Sequence, residues 1–165
     1  MLSAAFFPDP DQHDVLRTTL ERVNRACDAV GKAAFNAGVR PGPKYKDAIR
    51  EHAGAVIEKF GLASPYPSLV VNRVAQAMAD TPAKPPRFRD LQAIEYTAAQ
   101  LKWQVPERVS FPTWKGKRNL RIHLDPKAGP VPLRPPLAGH SVALVERNGS
   151  FHLDATDVPR DDEDD

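Results

Sequence analysis

Thr81-Pro82-Ala83-Lys84-Pro85-Pro86 is the stretch that divides this sequence into a helical part and a strand-rich part. Three prolines within six residues remove backbone donors and push the residues before them out of the helical region, so no helix runs through. Upstream, from Asp14 onward, Leu16, Leu20, Val23, Cys27, Val30 and Ala34 recur at spacings of four and three. That is one stripe of a helix, with Arg17, Glu21, Arg25, Asp28 and Lys32 lying off it. Asp11 or Asp14 is placed to cap its start, and Gly38 with Pro41-Gly42-Pro43 to end it. Ile49, Ala53, Val56 and Phe60 form a second stripe that stops at Gly61, and a third segment from Pro67 to about Asp80 carries Val70, Val74 and Ala77 on one side. Downstream of the prolines the period falls to two: Leu120, Ile122 and Leu124 alternate with Arg121 and His123, as a half-buried strand requires. VSFPTW at 109–114 is rich in strand formers, and Asn148-Gly149 between two apolar runs is a strong hairpin signal. Several short strands must hide their edges. The expected fold is therefore α+β: a small antiparallel β-barrel interrupted by a three-helix insert, with a proline-rich connector from Pro126 to Pro136.

The chain has 165 residues, enough for a core without disulfides, and its 17 prolines against 9 glycines argue against a helical bundle throughout. A single cysteine, Cys27, excludes an internal disulfide and a cysteine zinc cluster; it lies on the first apolar stripe and reads as a buried thiol rather than a nucleophile. No stretch approaches the roughly 18 apolar residues of a membrane span, and the start MLSAAFFPDPDQHD does not read as a secretory signal. A soluble, cytoplasmic protein without a membrane partner is expected.

The net charge of +2 conceals an asymmetry. Residues 161–165 are all acidic, so the 160 residues before them carry 23 basic and 16 acidic side chains, a net of +7. Residues 81–135 alone hold 11 basic and 4 acidic residues, also +7, whereas residues 1–80 hold 10 and 9. A concentration of this kind favours a polyanionic partner, because each cation that meets a phosphate releases a condensed counterion; a solvated basic face is the plain alternative. Catalytic constellations are absent from the pattern. The five histidines, at 13, 52, 123, 140 and 152, form no HxxxH pair and there is no phosphate-cradling glycine loop. The terminal DDEDD lacks a scaffold for a metal, so no metal and no cofactor are expected.

The order of several short motifs adds to this. FFPDPDQHDVLRTTLERVNRACD at the start is followed by GLASP at 61–65, RVAQAM at 73–78, PRFRDLQAIEY at 86–96, VSFPTWKGK at 109–117 and GHSVALVERNGSFHLDATDVP at 139–159. This series resembles the N-terminal half of the TnpB (OrfB) family of insertion-sequence proteins, RNA-guided DNA nucleases related to the type V CRISPR effectors. The resemblance covers nearly the whole chain. It implies a wedge domain, a small β-barrel, interrupted by a helical recognition insert: a first strand within residues 1–8, the insert over 9–81, the wedge-like β-unit over 82–159 and an acidic tail at 160–165. In the family the first RuvC carboxylate follows closely after the strand that here reads FHLDATDVP, so Asp154 and Asp157 fall before the nuclease and this chain alone is expected not to be an enzyme.

The resemblance further implies that target-adjacent double-stranded DNA is read by Phe60, Ser64, Lys84 and Thr113. Against this stands a plain reading of Phe60 as core and Ser64 as a helix cap. A guide RNA from the transposon end would be held by Lys115, Lys117, Arg118 and Arg121 around Trp114, with Arg87, Arg89 and Lys102 near Trp103, since an aromatic beside cations can stack a base and neutralise phosphate. The alternative makes both tryptophans packing residues. Two further functions stay open: a stand-alone RNA- or DNA-binding regulator, and a non-catalytic subunit that docks to a separately encoded RuvC chain.

Overall fold

The computed structural model describes residues 3–97, 100–104, 108–116, 120–124 and 141–155. Its class is α+β. Three helices, α1 (Pro10–Asn36), α2 (Tyr45–Phe60) and α3 (Tyr66–Asp80), follow strand β1 (Ser3–Phe7). They precede β2 (Ile94–Tyr96), β3 (Lys102–Gln104), β4 (Arg108–Phe111), β5 (Leu120–Leu124), β6 (Val142–Arg147) and β7 (Ser150–Ala155). Among the described residues no helix is long and apolar enough to cross a membrane.

Two compact units emerge. The described residues of His13–Gln92 and Pro112–Asn119 form one, and those of Met1–Gln12, Ala93–Phe111 and Leu120–Asp165 form the other. In the helical unit the apolar stripe of α1 is fully buried from Leu20 to Ala34, and Val70, Val74 and Met78 of α3 are equally inaccessible. The start of α1 is capped by Asp9, two positions before Asp11 and five before Asp14, the residues the sequence suggests. Asp9 Oδ1 accepts the Gln12 amide at 2.8 Å while Gln12 Oε1 accepts the Asp9 amide at 3.1 Å, a reciprocal capping box with Pro10 in the first helical turn. At the other end Val39 N–H reaches Ala34 O at 3.0 Å across Gly38, whose φ of 84° only glycine adopts cheaply. The cap position before α3 is held by Pro65, with no side-chain cap hydrogen bond, so Ser64 is not the capping residue.

Beyond α3 the chain becomes a strap over residues 86–92, running antiparallel along α1. Phe88 N–H donates to Asp28 Oδ1 at 3.1 Å, and the side-chain amide of Asn24 donates to Asp90 O at 3.0 Å and Gln92 O at 2.9 Å. Pro86 sits where Gly31 leaves room: a Cβ on that glycine would come within 2.5 Å of the proline ring. The proline-rich boundary at residue 81 and the edge of the compact unit at residue 92 thus differ by the turn at 82–85 and this strap.

The second unit is an antiparallel sheet in the order β2-β6-β7-β1-β5-β4-β3. β6 and β7 form the expected hairpin, turning at Asn148 (φ 52°) and Gly149 (φ 84°), the two positive angles a type I′ turn needs. Inward residues fall in register: Ile94 faces Leu144 and Leu144 faces Leu153, all fully buried. The closed barrel expected from the sequence is corrected here. Among the described residues β2 pairs with β6 and β3 with β4, but β2 and β3 do not pair with each other, so the sheet is open. Each end strand has only three residues and spends its ladder on one neighbour, β2 on β6 and β3 on β4. Across the opening Tyr96 of β2 packs edge-on to Phe111 of β4, the strand next to β3, with ring centroids 5.7 Å apart.

Candidate nucleic-acid interface

The segment after β4 leaves the sheet at Pro112 and belongs to the helical unit. Tyr66, fully buried at the start of α3, donates its hydroxyl to Pro112 O at 2.5 Å, which satisfies the one polar atom of an otherwise apolar side chain. Ala63 N–H donates to Trp114 O at 2.8 Å. Gly116 N–H closes a turn on Thr113 O at 3.0 Å. Gly116 has φ 72°, and a Cβ there would lie 2.5 Å from the Ala63 methyl, so both conformation and space demand glycine.

This seating puts the Trp114 ring against the corner between α2 and α3. Gly61, at φ 64°, borders the ring, and a Cβ there would stand 3.7 Å from it, in ordinary contact, so glycine is required by the backbone angle rather than by space. Arg22 of α1 completes the corner: its guanidinium carbon lies 4.0 Å from the ring centroid, and its Nη1 donates to Phe60 O at 3.1 Å. That carbonyl is in the last turn of α2, where a cation is favourable because the helix dipole ends negative. Lys115 Nζ lies 5.0 Å from the same centroid, with its side chain exposed.

Five of the residues expected at the interface therefore converge although they come from two distant segments: Phe60 and Ser64 on one side, Thr113, Trp114 and Lys115 on the other. Ser64 is exposed, and Phe60, Thr113 and Trp114 are half-buried. Lys84 is not brought to this corner. It is exposed on the turn after α3, and Pro86, two residues on, packs at Gly31, about 14 Å along α1 from Arg22 at 1.5 Å per residue. Arg87 and Arg89 lie exposed on the strap, and Lys102 is exposed on β3. Lys117, Arg118, Asp157 and the acidic tail lie outside the described residues, and for Arg121 and Trp103 the backbone position alone is described.

Sequence reasoning missed Arg22 and a second polar cluster. Asn24 has no solvent exposure and, besides its two bonds to the strap, accepts Arg73 Nη1 on Oδ1 at 2.8 Å. Arg73 also reaches Cys27 Sγ at 3.5 Å, and its guanidinium carbon lies 5.0 Å from the Phe88 ring centroid. An asparagine one step from an apolar stripe was the available signal. Cys27 is fully buried, and that burial pushes its thiol up to about 11 despite the neighbouring arginine. Arg25 and the Asp90 carboxylate form a two-point ion pair at 3.2 and 3.0 Å, which holds the carboxyl below its usual range. In the sheet, Asp154 is mostly buried and bound at both oxygens by Arg147. Among the described residues no group of three or more His, Cys, Asp or Glu side chains could hold a metal ion.

No family model matches the chain, and no curated protein matches it significantly.

Proposed function

We propose that this chain is the nucleic-acid-holding part of a TnpB-like RNA-guided DNA endonuclease, binding a guide RNA and the duplex beside the target. In this reading the sheet unit serves as the wedge and the helical unit as the recognition insert. The observation that carries it is the hydrogen bond from Ala63 to Trp114, which seats residues 112–116 of the VSFPTWKGK motif on the GLASP segment. Two motifs about fifty residues apart, which the resemblance assigns to one reading surface, are thereby in contact. Around that bond Ser64 presents a hydroxyl and Lys115 a charge to solvent, groups suited to base edges and phosphate oxygens. Trp114 acts chiefly as the anchor of this corner, since Arg22 already covers one face of its ring.

The test is to purify the protein from its native host and sequence the RNA that accompanies it, then measure binding of that RNA and of labelled duplexes at 50 mM salt. One RNA species enriched over total cellular RNA is the expected result. Protein that carries no RNA and binds neither RNA nor duplex at that salt would discard the reading.

A further inference from the structure

Arg87 and Arg89 occupy a strap whose path is already fixed. Pro86 packs at Gly31, Phe88 N–H is held by Asp28, and the Asp90 carbonyl by Asn24. Four residue steps of the strap advance past seven residues of α1, about 10 Å, an open path at roughly three-quarters of full extension that ends in the turn Gln92 N–H closes on Arg89 O. In such a segment alternate side chains point to opposite sides. Pro86 is buried and the Phe88 ring lies beneath Arg73, whereas Arg87 and Arg89 are exposed, roughly 6 Å apart along the strap.

The flank of α1 extends this row. Arg25 and Lys32 are seven residues apart and so share a helix face, and Arg25 is shown to border the strap by its pair with Asp90. Of the two carboxylates bonded here, Asp90 is paired with Arg25, while Asp28 accepts the Phe88 amide, a neutral donor that leaves its charge in place but outnumbered by the cations around it. Among the described residues no ion pair involves Lys32, Lys84, Arg87 or Arg89, and all four side chains are exposed. A surface kept this positive, on backbone that needs no further ordering to bind, is complementary to regularly spaced anionic groups.

We propose that the strap face, Arg87 and Arg89 with Lys32 and Lys84 beside them, seats the phosphodiester backbone of one RNA strand. The proposal rests on the nucleic-acid reading above. One strand is indicated because a single narrow row about 10 Å long can follow successive phosphates of one chain, and planar guanidiniums suit them bidentately. The contact is independent of sequence: the only aromatic side chain of the strap, Phe88, is turned to Arg73, so the row offers cations and no stacking surface.

Fluorescence anisotropy with labelled oligo-U, oligo-A and a mixed-sequence DNA duplex, from 50 to 300 mM salt, tests this. The double variant Arg87→Gln with Arg89→Gln should bind both RNA oligomers more weakly by a similar factor. Its slope of log affinity against log salt should be lower by about 1.4, or ~0.7 for each phosphate contact to a single strand. Arg87→Lys with Arg89→Lys should keep the slope, which separates lost charge from a disturbed fold. Wild-type slope in the glutamine variant, with the parent protein binding RNA normally, overturns the strap site and leaves the proposed function standing. A loss confined to the DNA duplex overturns the assignment to an RNA strand. Failure of the parent protein to bind any of the three overturns the function itself.

Discussion

Asn24, without solvent exposure on α1, donates its side-chain amide to the backbone carbonyl of Asp90 over 3.0 Å, and through this bond the longest helix holds the chain that leads into the sheet. The same amide serves Gln92 O, and Arg73 serves the amide oxygen. Every polar atom of the side chain has a partner, the condition under which a buried asparagine is tolerated.

Asn24→Ala should consequently be among the most damaging single changes in the helical unit. It strips two carbonyls of their donor and takes one acceptor from Arg73, a loss of about 3 kcal/mol. Urea denaturation gives the magnitude, and faster amide exchange over residues 88–92 gives the place. A change below about 1 kcal/mol with unaltered exchange would show that the strap is held by its apolar contacts instead.

Gly116→Ala is expected to unseat the Trp114 corner. A positive φ costs an alanine ~1 kcal/mol, and the clash with the Ala63 methyl adds ~1 to ~3 kcal/mol. Ala63→Gly in the same chain should recover the second part and not the first. Equal stability of the single and double variants, by thermal or urea melts, would contradict the packing described.

Acid should weaken the attachment of the strap. The folded-state pKa of Asp90 is depressed by its hydrogen bonds to Arg25, so its contribution is present above the ordinary carboxylate value near 3.9 and is lost as pH falls through the folded value. Asp90→Asn should flatten the acid limb of stability against pH while leaving stability less altered at low pH. An unchanged acid limb would mean that the exposed pair contributes nothing measurable.

Cys27 should be silent toward aromatic disulfide reagents at pH 8 and become reactive on unfolding. Burial raises its folded value to about 11, so the neutral thiol is favoured below the ordinary value near 8.5 and that contribution fades as pH climbs toward 11. Labelling of the native protein at the rate of a free thiol would overturn the assignment.

The basic residues around the Trp114 loop give a separate test of the interface. Changing Lys115, Lys117, Arg118 and Arg121 to alanine together should lower the salt slope of RNA binding by roughly 3, at ~0.7 to ~0.9 for each phosphate contact, with circular dichroism unchanged. Arg22→Ala should act differently, reducing stability by about 1 kcal/mol through the lost ring and carbonyl contacts while leaving the slope nearly as it was. A folded quadruple variant that keeps its slope would assign those charges to solvation alone.

Much of the fold was legible because it is local. The stripe from Leu16 to Ala34, the stop at Gly61 and the Asn148-Gly149 turn each depend on residues close in sequence. Closure of the sheet was not legible: β2 and β3 are three residues long, and the contact across the opening joins Tyr96 of β2 to Phe111 of β4, fifteen residues apart, by rings rather than by backbone hydrogen bonds. For the candidate site, Trp114 beside Lys115 could be read directly. Arg22 could not, since its partner Phe60 stands 38 residues away and only packing brings it over the indole.

The seat of the β4–β5 connection also acts as a ruler. Pro112 is fixed through its carbonyl, Trp114 through its carbonyl and ring, and Gly116 by the methyl that fills the space a side chain would need. The three fixed points are evenly spaced at every second residue. Adding or removing one residue between them would break the turn that Gly116 N–H closes on Thr113 O and draw Trp114 off its seat, so length variation among descendants of this sequence should accumulate after Gly116, never inside the five residues that measure the gap.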